Sequence, residues 1–217
     1  MREFGALAMH GELAFSSAGY AIVENVWTPS LLRSINAELS GLIPVEEPSL
    51  GGVIEELDIK SDFFFDLARD KILLDLSEAL LGMATIAIHI KLVRRRVLRA
   101  GDKWFRQNQY LHQEHFGHDA LSFTFPLVGD DRTFINDYAI ERHSRVVEHE
   151  PVDDSELGVG FQYAGPFIAA YVPTGGCIAH HSLLPYRPNI GSFSDYGDFL
   201  VINHRQSPYR AQLRSLE

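Results

Sequence analysis

The chain has 217 residues, of which 46% are hydrophobic, and a formal net charge of -10. This length suffices for one sizeable core, and the negative charge argues against nucleic acid and anionic membrane surfaces as partners. The single cysteine, Cys177, excludes an intramolecular disulfide and is consistent with a cytoplasmic location. We see no signal peptide and no apolar run of the roughly 20 residues that a membrane-spanning helix needs.

The first third of the chain predicts one strand followed by helices. A β-rich run after a turn signal predicts a strand over Tyr20–Val26. Thr28 is a good N-cap residue before a proline, and the spacing of the apolar residues predicts a helix over 29–42. A second helical region covers 61–80, and Gly82 after it predicts a left-handed C-terminal cap.

After Gly82 the pattern changes to short β-rich runs that turn signals separate, which is typical of a sandwich or barrel. We therefore predict a mainly β fold with N-terminal helices, a double-stranded β-helix (jelly roll) like that of the cupins. A single domain is expected over 1–217, with mainly helical cover at 14–82 and the jelly-roll core at 83–205. The predicted strands of this core are 85–98, 109–115, 121–127, 133–140, 161–172, 176–181 and 198–203.

His112 and Glu114 predict half of a metal site. They are two residues apart in a β-like run, so both side chains point to the same face of a strand. A histidine from a distant strand would complete the two-histidine, one-carboxylate site of non-haem Fe(II) oxygenases. The adjacent His180 and His181 would face opposite ways on a strand, so one of them is a candidate for this third ligand.

An oxo-acid co-substrate would also need a cation for its remote carboxylate. Arginine suits this task because its guanidinium binds a carboxylate through two hydrogen bonds. The candidates are Arg187, Arg205 and the arginines between 94 and 99.

Five segments also match, in their order and spacing, the pattern of a known enzyme family. They are Phe15–Val26, Leu73–Gly82, Leu111–Glu114, Ile140–Arg145 and Gly175–Ser192. Together they span nearly the whole chain and resemble the phytanoyl-CoA dioxygenase family of Fe(II)- and 2-oxoglutarate-dependent oxygenases. The third segment resembles the family's His-Gln-Asp motif, with glutamate in place of aspartate. The fifth resembles the family's closing segment, which carries the distal metal histidine.

The resemblance implies a double-stranded β-helix that holds one Fe(II) and uses 2-oxoglutarate and O2 to oxidise, commonly to hydroxylate, a small molecule. Carried over by position, His112 and Glu114 would be metal ligands, and His143 would lie near the co-substrate in a catalytic or cofactor-binding role. Without gaps, the family's distal histidine falls on Tyr186, and its 2-oxoglutarate arginine falls near Gly197.

These departures leave three hypotheses. In the first, His181, our first choice, or His180 completes the metal site, and Arg187 holds 2-oxoglutarate. In the second, Tyr186 is the ligand, since a phenol with a pKa of about 10 can ionise beside a cation. In the third, the scaffold has lost the iron chemistry and is a metal-altered or metal-free isomerase, cyclase or ligand-binding protein. The leading hypothesis is an Fe(II)-dependent oxygenase with 2-oxoglutarate as co-substrate.

Overall fold

The computed structural model describes residues 15–43, 52–95, 104, 120–127, 132–139, 152–155, 158–160, 165–187 and 197–207. The described helices are α1 (Pro29–Leu42), α2 (Leu57–Lys60), α3 (Asp62–Ala68) and α4 (Lys71–Leu81). The described strands are β1 (Tyr20–Val23), β2 (Gly52–Ile54), β3 (Thr85–Arg95), β4 (Ala120–Pro126), β5 (Arg132–Ala139), β6 (Val152–Ser155), β7 (Gly158–Gly160), β8 (Phe167–Pro173), β9 (Cys177–His181), β10 (Tyr186–Arg187) and β11 (Gly197–Gln206). Among these helices none is long and apolar enough to cross a lipid bilayer.

Two antiparallel sheets form a jelly roll. The large sheet has the strand order β1-β9-β4-β11-β3-β2, and the small sheet has the order β10-β5-β8. Strands β6 and β7 pair with each other. Neighbours in the large sheet, such as β4 and β11, are distant in sequence, as the jelly-roll topology requires. Strands β1 and β2 join this sheet from within 14–82, and the division of one domain into helical cover and core stays a prediction.

Side-chain alternation gives the large sheet two different faces. On β11, Leu200 and Ile202 belong to one core with the helices, whereas Phe199 belongs to a second core with the small sheet. Tyr138 of β5 and Ile178 of β9 are also part of this second core. We call the side of the large sheet that faces the small sheet its inward face.

Helix α1 begins and ends where the sequence predicts. The Thr28 hydroxyl accepts a hydrogen bond from the Leu31 N–H at 3.3 Å, and Pro29 takes the first helical position, where a backbone donor would have no partner in the helix. The buried side of the helix is a stripe at helical spacing, formed by Leu32, Ile35 and Leu39. This stripe belongs to the core between the helices and the large sheet.

The predicted helical region 61–80 consists of two helices, α3 and α4. Asp70 separates them, because its carboxylate accepts a hydrogen bond from the Ile72 N–H at 2.7 Å and so caps a new helix. Aspartate competes for backbone N–H groups in this way and favours helix starts over helix interiors. Helix α4 ends before Gly82, whose φ of 70° is the predicted left-handed cap.

The predicted strands that fall on described residues are present, with differences at their ends. Strand β8 begins at Phe167, later than predicted, because Pro166 before it has no backbone N–H for a sheet ladder. No sequence pattern predicts β2 and β10, since strands of three and two residues are too short to show alternation. The predicted strand over 109–115 lies outside the described residues.

His204 of β11 is a buried part of the core beneath the helices. Its Nε2 lies 3.1 Å from the carbonyl oxygen of Ala68, and its Nδ1 lies 3.0 Å from Ser77 Oγ. The ring of Phe123 meets it edge-on at 5.4 Å between centroids. Burial lowers the pKa of His204 to about 4, so this ring is neutral at pH 7.

We expect the free energy of unfolding to fall as the pH falls below 6.5. The unfolded histidine, with its ordinary pKa of 6.5, takes up a proton, whereas the folded one, with a pKa of about 4, does not. Between these two values the group contributes a slope of about 1.4 kcal/mol per pH unit, and above 6.5 its contribution is constant. Urea denaturation of wild type and His204→Gln over this pH range measures the slope, which we expect to be shallower in the variant.

Ile202→Val is the matched control on the same face of β11. It should lower the stability by about 1 kcal/mol through lost packing while the pH slope stays that of wild type. Equal slopes in wild type and His204→Gln would contradict the assignment.

Candidate functional site

A row of polar side chains crosses the inward face of the large sheet. Its members are Cα partners on five neighbouring strands, β3, β11, β4, β9 and β1. In that order they are His89, Asn203, Ser122, His180 and Tyr20. The next residue on β11, His204, points the other way into the helical core, so alternation assigns the row to the inward face.

Hydrogen bonds give one half of this row a defined direction. Ser122 Oγ donates to Asn203 Oδ1 at 2.7 Å, and Asn203 Nδ2 lies 3.4 Å from His89 Nδ1. His89 Nε2 lies 2.8 Å from Glu55 Oε2. A carboxylate only accepts, so Nε2 donates to Glu55, and Nδ1 on the other side of the ring faces the amide N–H group of Asn203, which only donates. Each donor therefore points toward Glu55.

Glu55 is the charged end of the row, at the edge of the sheet beside β2. The hydrogen bond from His89 lowers the pKa of Glu55, and the positive charge of Lys91 acts in the same direction. Lys91 Nζ lies 3.5 Å from Glu55 Oε1. Because β3 places it two residues beyond His89, Lys91 shares the inward face with the row.

The other half of the row ends in an aromatic cluster that joins the two sheets. The His180 ring lies 5.2 Å from the Tyr138 ring and 6.1 Å from the Tyr186 ring, measured between centroids. Tyr20 stacks on Tyr138 at 6.4 Å. These four side chains come from β9, β5, β10 and β1, so the cluster lies where the ends of the small and large sheets meet.

His180 is neutral in this cluster. Burial lowers its pKa to about 4. Its Nδ1 lies 3.4 Å from the carbonyl oxygen of His181, and since a carbonyl oxygen can only accept, Nδ1 carries the proton. The Nε2 atom then has the free lone pair, which is the form in which imidazole binds metals.

His181 lies on the opposite side of the large sheet. Its Cα partner is Leu121, which belongs to the helical core, and its ring lies 6.2 Å from the Phe15 ring. Its Nδ1 accepts a hydrogen bond from the Leu183 N–H at 3.1 Å. The structure therefore brings His180, and not His181, together with Tyr186.

Tyr186 and Arg187 point to opposite faces of the small sheet. Arg187 Nη2 and Nε lie 2.8 and 3.2 Å from Asp137 Oδ2, and Asp137 is fully buried. The guanidinium also lies 5.1 Å from the Trp104 ring centroid and 4.9 Å from that of Phe167. Arg187, which the sequence suggests as a carboxylate partner for 2-oxoglutarate, thus pairs with a carboxylate of its own chain.

Three predicted site residues, His112, Glu114 and His143, lie outside the described residues. Within the described part of the chain, no group of three or more histidine, cysteine, aspartate or glutamate side chains is placed to hold a metal. The ligand set named from the sequence therefore stays a prediction.

Sequence reasoning missed most of the polar row. Ser122 and Asn203 are isolated polar residues in apolar strands, a signal that marks an unusual position but not its partner. Their partnership depends on the register of β4 against β11, residues 81 apart in the chain. Sequence reasoning also missed Tyr138. It lies beside Tyr186 through pairing with β10, a strand too short to predict.

No protein-family model matches the sequence, and the search of curated proteins found no match. Solved structures, by contrast, are similar over nearly the whole chain. The non-haem α-ketoglutarate-dependent epimerase SnoN from nogalamycin biosynthesis has a TM-score of 0.70 at 15% identity, covering 93% of this chain and 84% of its own. The carbocyclase SnoK from the same biosynthesis has a TM-score of 0.70 at 11% identity, covering 96% and 90%.

EvdO2 from Micromonospora carbonacea var. aurantiaca, solved with 2-oxoglutarate, is similar to the same degree. Its TM-score is 0.70 at 18% identity, and the match covers 91% of this chain and 90% of that one. At these identities the likeness establishes the fold, and the predicted mainly β jelly roll with N-terminal helices is confirmed.

We expect Ser122→Ala to destabilise the fold by about 1–2 kcal/mol, because Asn203 Oδ1 loses a buried donor. Ser40→Ala is the matched control: its hydroxyl also donates a hydrogen bond, to Asn36 O at 2.8 Å, but on the exposed side of α1. That change should stay within about 0.5 kcal/mol. Urea denaturation compares the two, and equal losses would contradict a directed row in which the Ser122 hydroxyl is buried.

Proposed function

We propose that this protein is an Fe(II)- and 2-oxoglutarate-dependent oxygenase that oxidises, by default hydroxylates, a small-molecule substrate, as a divergent relative of the phytanoyl-CoA dioxygenase family. The observation that carries this proposal is the cluster of His180 and Tyr186 inside a jelly roll. The family's distal metal histidine falls on Tyr186 by sequence position, and Tyr186 lies on a strand of the small sheet beside an inward-facing imidazole. The similar structures support the same class, since SnoN has been solved with Fe3+ and α-ketoglutarate.

The donor chemistry of the cluster fits iron. His180 offers a neutral imidazole with its lone pair on Nε2, and a tyrosine oxygen is an established iron ligand in other proteins. We propose Tyr186 as the third ligand beside His112 and Glu114, with His180 as the alternative. His181 suits the role less well, because its ring lies among the helices. Fe(II) held by these groups would supply the activation of O2 that oxidation requires.

A remote carboxylate of 2-oxoglutarate needs a cation on the inward face. Lys91 and Arg205 lie on this face, on β3 and β11. Lys91 also lies 3.5 Å from the half-exposed carboxylate of Glu55, whereas Arg187 pairs with the buried Asp137 on the far side of the small sheet. We therefore propose Lys91 or Arg205 for the carboxylate in place of Arg187. His143 stays our proposed group near the co-substrate.

The remaining residues of the cluster would shape the site and keep it dry. Tyr138 is fully buried, and the ring of Tyr20 stacks on it; burial raises the pKa of Tyr20, so the Tyr20 phenol is neutral at pH 7. Neutral walls of this kind strengthen the attraction between the metal and its charged ligands, because they lower the local dielectric.

We expect anaerobic Fe(II) and 2-oxoglutarate together to give a visible charge-transfer band, and admission of O2 to give succinate.

Tyr186→Phe should weaken Fe(II) binding by more than about tenfold, since it removes the phenol oxygen alone. His180→Gln should also weaken binding if His180 is the ligand, while His181→Gln should not. These neighbouring histidines form a matched pair, because both are buried on the same strand.

The alternative function is a metal-free or metal-altered isomerase, cyclase or ligand-binding protein on the same scaffold. The tyrosine at the distal histidine position and the glycine near the expected arginine position favour it. A wild-type protein that binds no iron after anaerobic reconstitution, and forms no succinate, would sink the oxygenase proposal in favour of this one. Iron binding that is lost in His181→Gln but kept in Tyr186→Phe would overturn the ligand assignment alone.

A further inference from the structure

We infer that Asp137 and Arg187 form a positioning pair that fixes the orientation of Tyr186 from the opposite face of the small sheet. The inference rests on the proposed function only for what Tyr186 does; the positioning itself follows from the described contacts. Arg187 is next to Tyr186 in β10, and the two residues pair with Asp137 and Tyr138 of β5 in consecutive register positions. A constraint on one face of the strand therefore acts on the other.

Over the residues that the structure describes, strand β10 has little backbone pairing of its own. It is two residues long, and a further backbone hydrogen bond joins Ala139 N–H to Pro185 O at 3.0 Å. A strand this short gains little from its ladder, and a small twist about its axis would move the Tyr186 ring relative to Tyr138 and His180. Side-chain contacts on the outer face can limit that twist, in addition to the ring contacts of Tyr186 on the inner face.

The ion pair is placed to do so. Two guanidinium nitrogens of Arg187, Nη2 and Nε, contact the same carboxylate oxygen of Asp137, which fixes the direction of the arginine as well as its distance. Asp137 is fully buried, and its other oxygen accepts no hydrogen bond from the described residues. A buried carboxylate is strongly unfavourable without its counter-charge, so Arg187 is held firmly in place.

Two aromatic rings hold the guanidinium from its other sides. Trp104, which is buried, and Phe167 of β8 lie within cation–π distance of it, and they meet each other edge-on at 5.8 Å. Arg187 thus links β10 to β5 through its ion pair with Asp137, and it contacts β8 through the ring of Phe167. The guanidinium acts on the site through Tyr186, without contact to the co-substrate.

The test uses a label at Tyr186 that needs no metal. With 3-fluorotyrosine at this position, the 19F signal of the wild-type protein should be a single narrow line. Arg187→Lys keeps the charge but loses the two-nitrogen geometry and the flat face, so we expect a shifted or broadened line. Asp137→Asn should do the same. Arg69→Lys is the matched control, because Arg69 also lies over an aromatic ring, Phe65, at 3.6 Å, and it lies between α3 and α4, which pack on the helical side of the large sheet.

Two further readouts are the visible iron–phenolate band of the ferric holoprotein and the KM for 2-oxoglutarate. If Arg187 positions Tyr186, the Arg187→Lys variant should have a shifted or weakened iron–phenolate band and an unchanged KM for 2-oxoglutarate. A KM raised about tenfold or more with an unchanged 19F line and band would overturn the inference and make Arg187 a co-substrate ligand. An unchanged 19F line in both Arg187→Lys and Asp137→Asn would also overturn it.

The two proposals fail in different ways. If the wild-type holoprotein shows no phenolate band, the metal role of Tyr186 fails, yet the 19F comparison still decides the positioning. If Asp137→Asn does not fold, Arg187→Lys alone decides it, since that variant retains the counter-charge of the buried carboxylate.

Discussion

The register of β11 between β3 and β4 is the constraint on which the rest of the structure depends. It assigns Leu200, Ile202 and His204 to the core beneath the helices and Asn203 to the inward face. A slip of one residue would exchange these faces. It would bury the asparagine under the helices and place apolar side chains in the polar row of the inward face. Because β11 is paired on both edges, such a slip would have to break two ladders at once.

The same alternation gives similar histidines different roles. His180 and His204 are both buried, and burial lowers the pKa of each to about 4. His204 is satisfied by Ser77 and a carbonyl oxygen within the helical core, which makes it a structural residue. His180 faces three tyrosine rings between the sheets. The perturbed pKa alone does not separate these cases; the face of the strand does.

The sequence was sufficient for the fold and for only part of the site. Apolar periodicity and capping located α1, and turn signals located most strands, because these depend on neighbouring residues. The split at Asp70 and the short strand β10 depended on a single cap and on tertiary pairing, and they were missed. Alternation also predicted that one of two adjacent histidines faces inward, but it could not say which.

The pairing of β9 with its neighbouring strands decides which of His180 and His181 faces inward. The pairing of β9 with β1 and β4 aligns His180 with Tyr20 and Ser122, and it places His181 opposite Leu121. No local pattern contains this, since the partners are separated by dozens of residues or more. The polar row is therefore a product of the topology.

The outer face of the small sheet shows why a charged residue near a candidate site need not bind a ligand. Arg187 follows Tyr186 directly, and it was one of the arginines that the sequence suggested for an oxo-acid co-substrate. In a strand, however, adjacent side chains serve opposite faces, so a residue next to a site residue is the one least able to enter the same site. Such a residue can instead restrain the strand through contacts on the opposite face of the sheet. A tyrosine side chain is longer than that of histidine, so the position of its oxygen depends more strongly on the backbone, and the Asp137–Arg187 pair constrains that backbone.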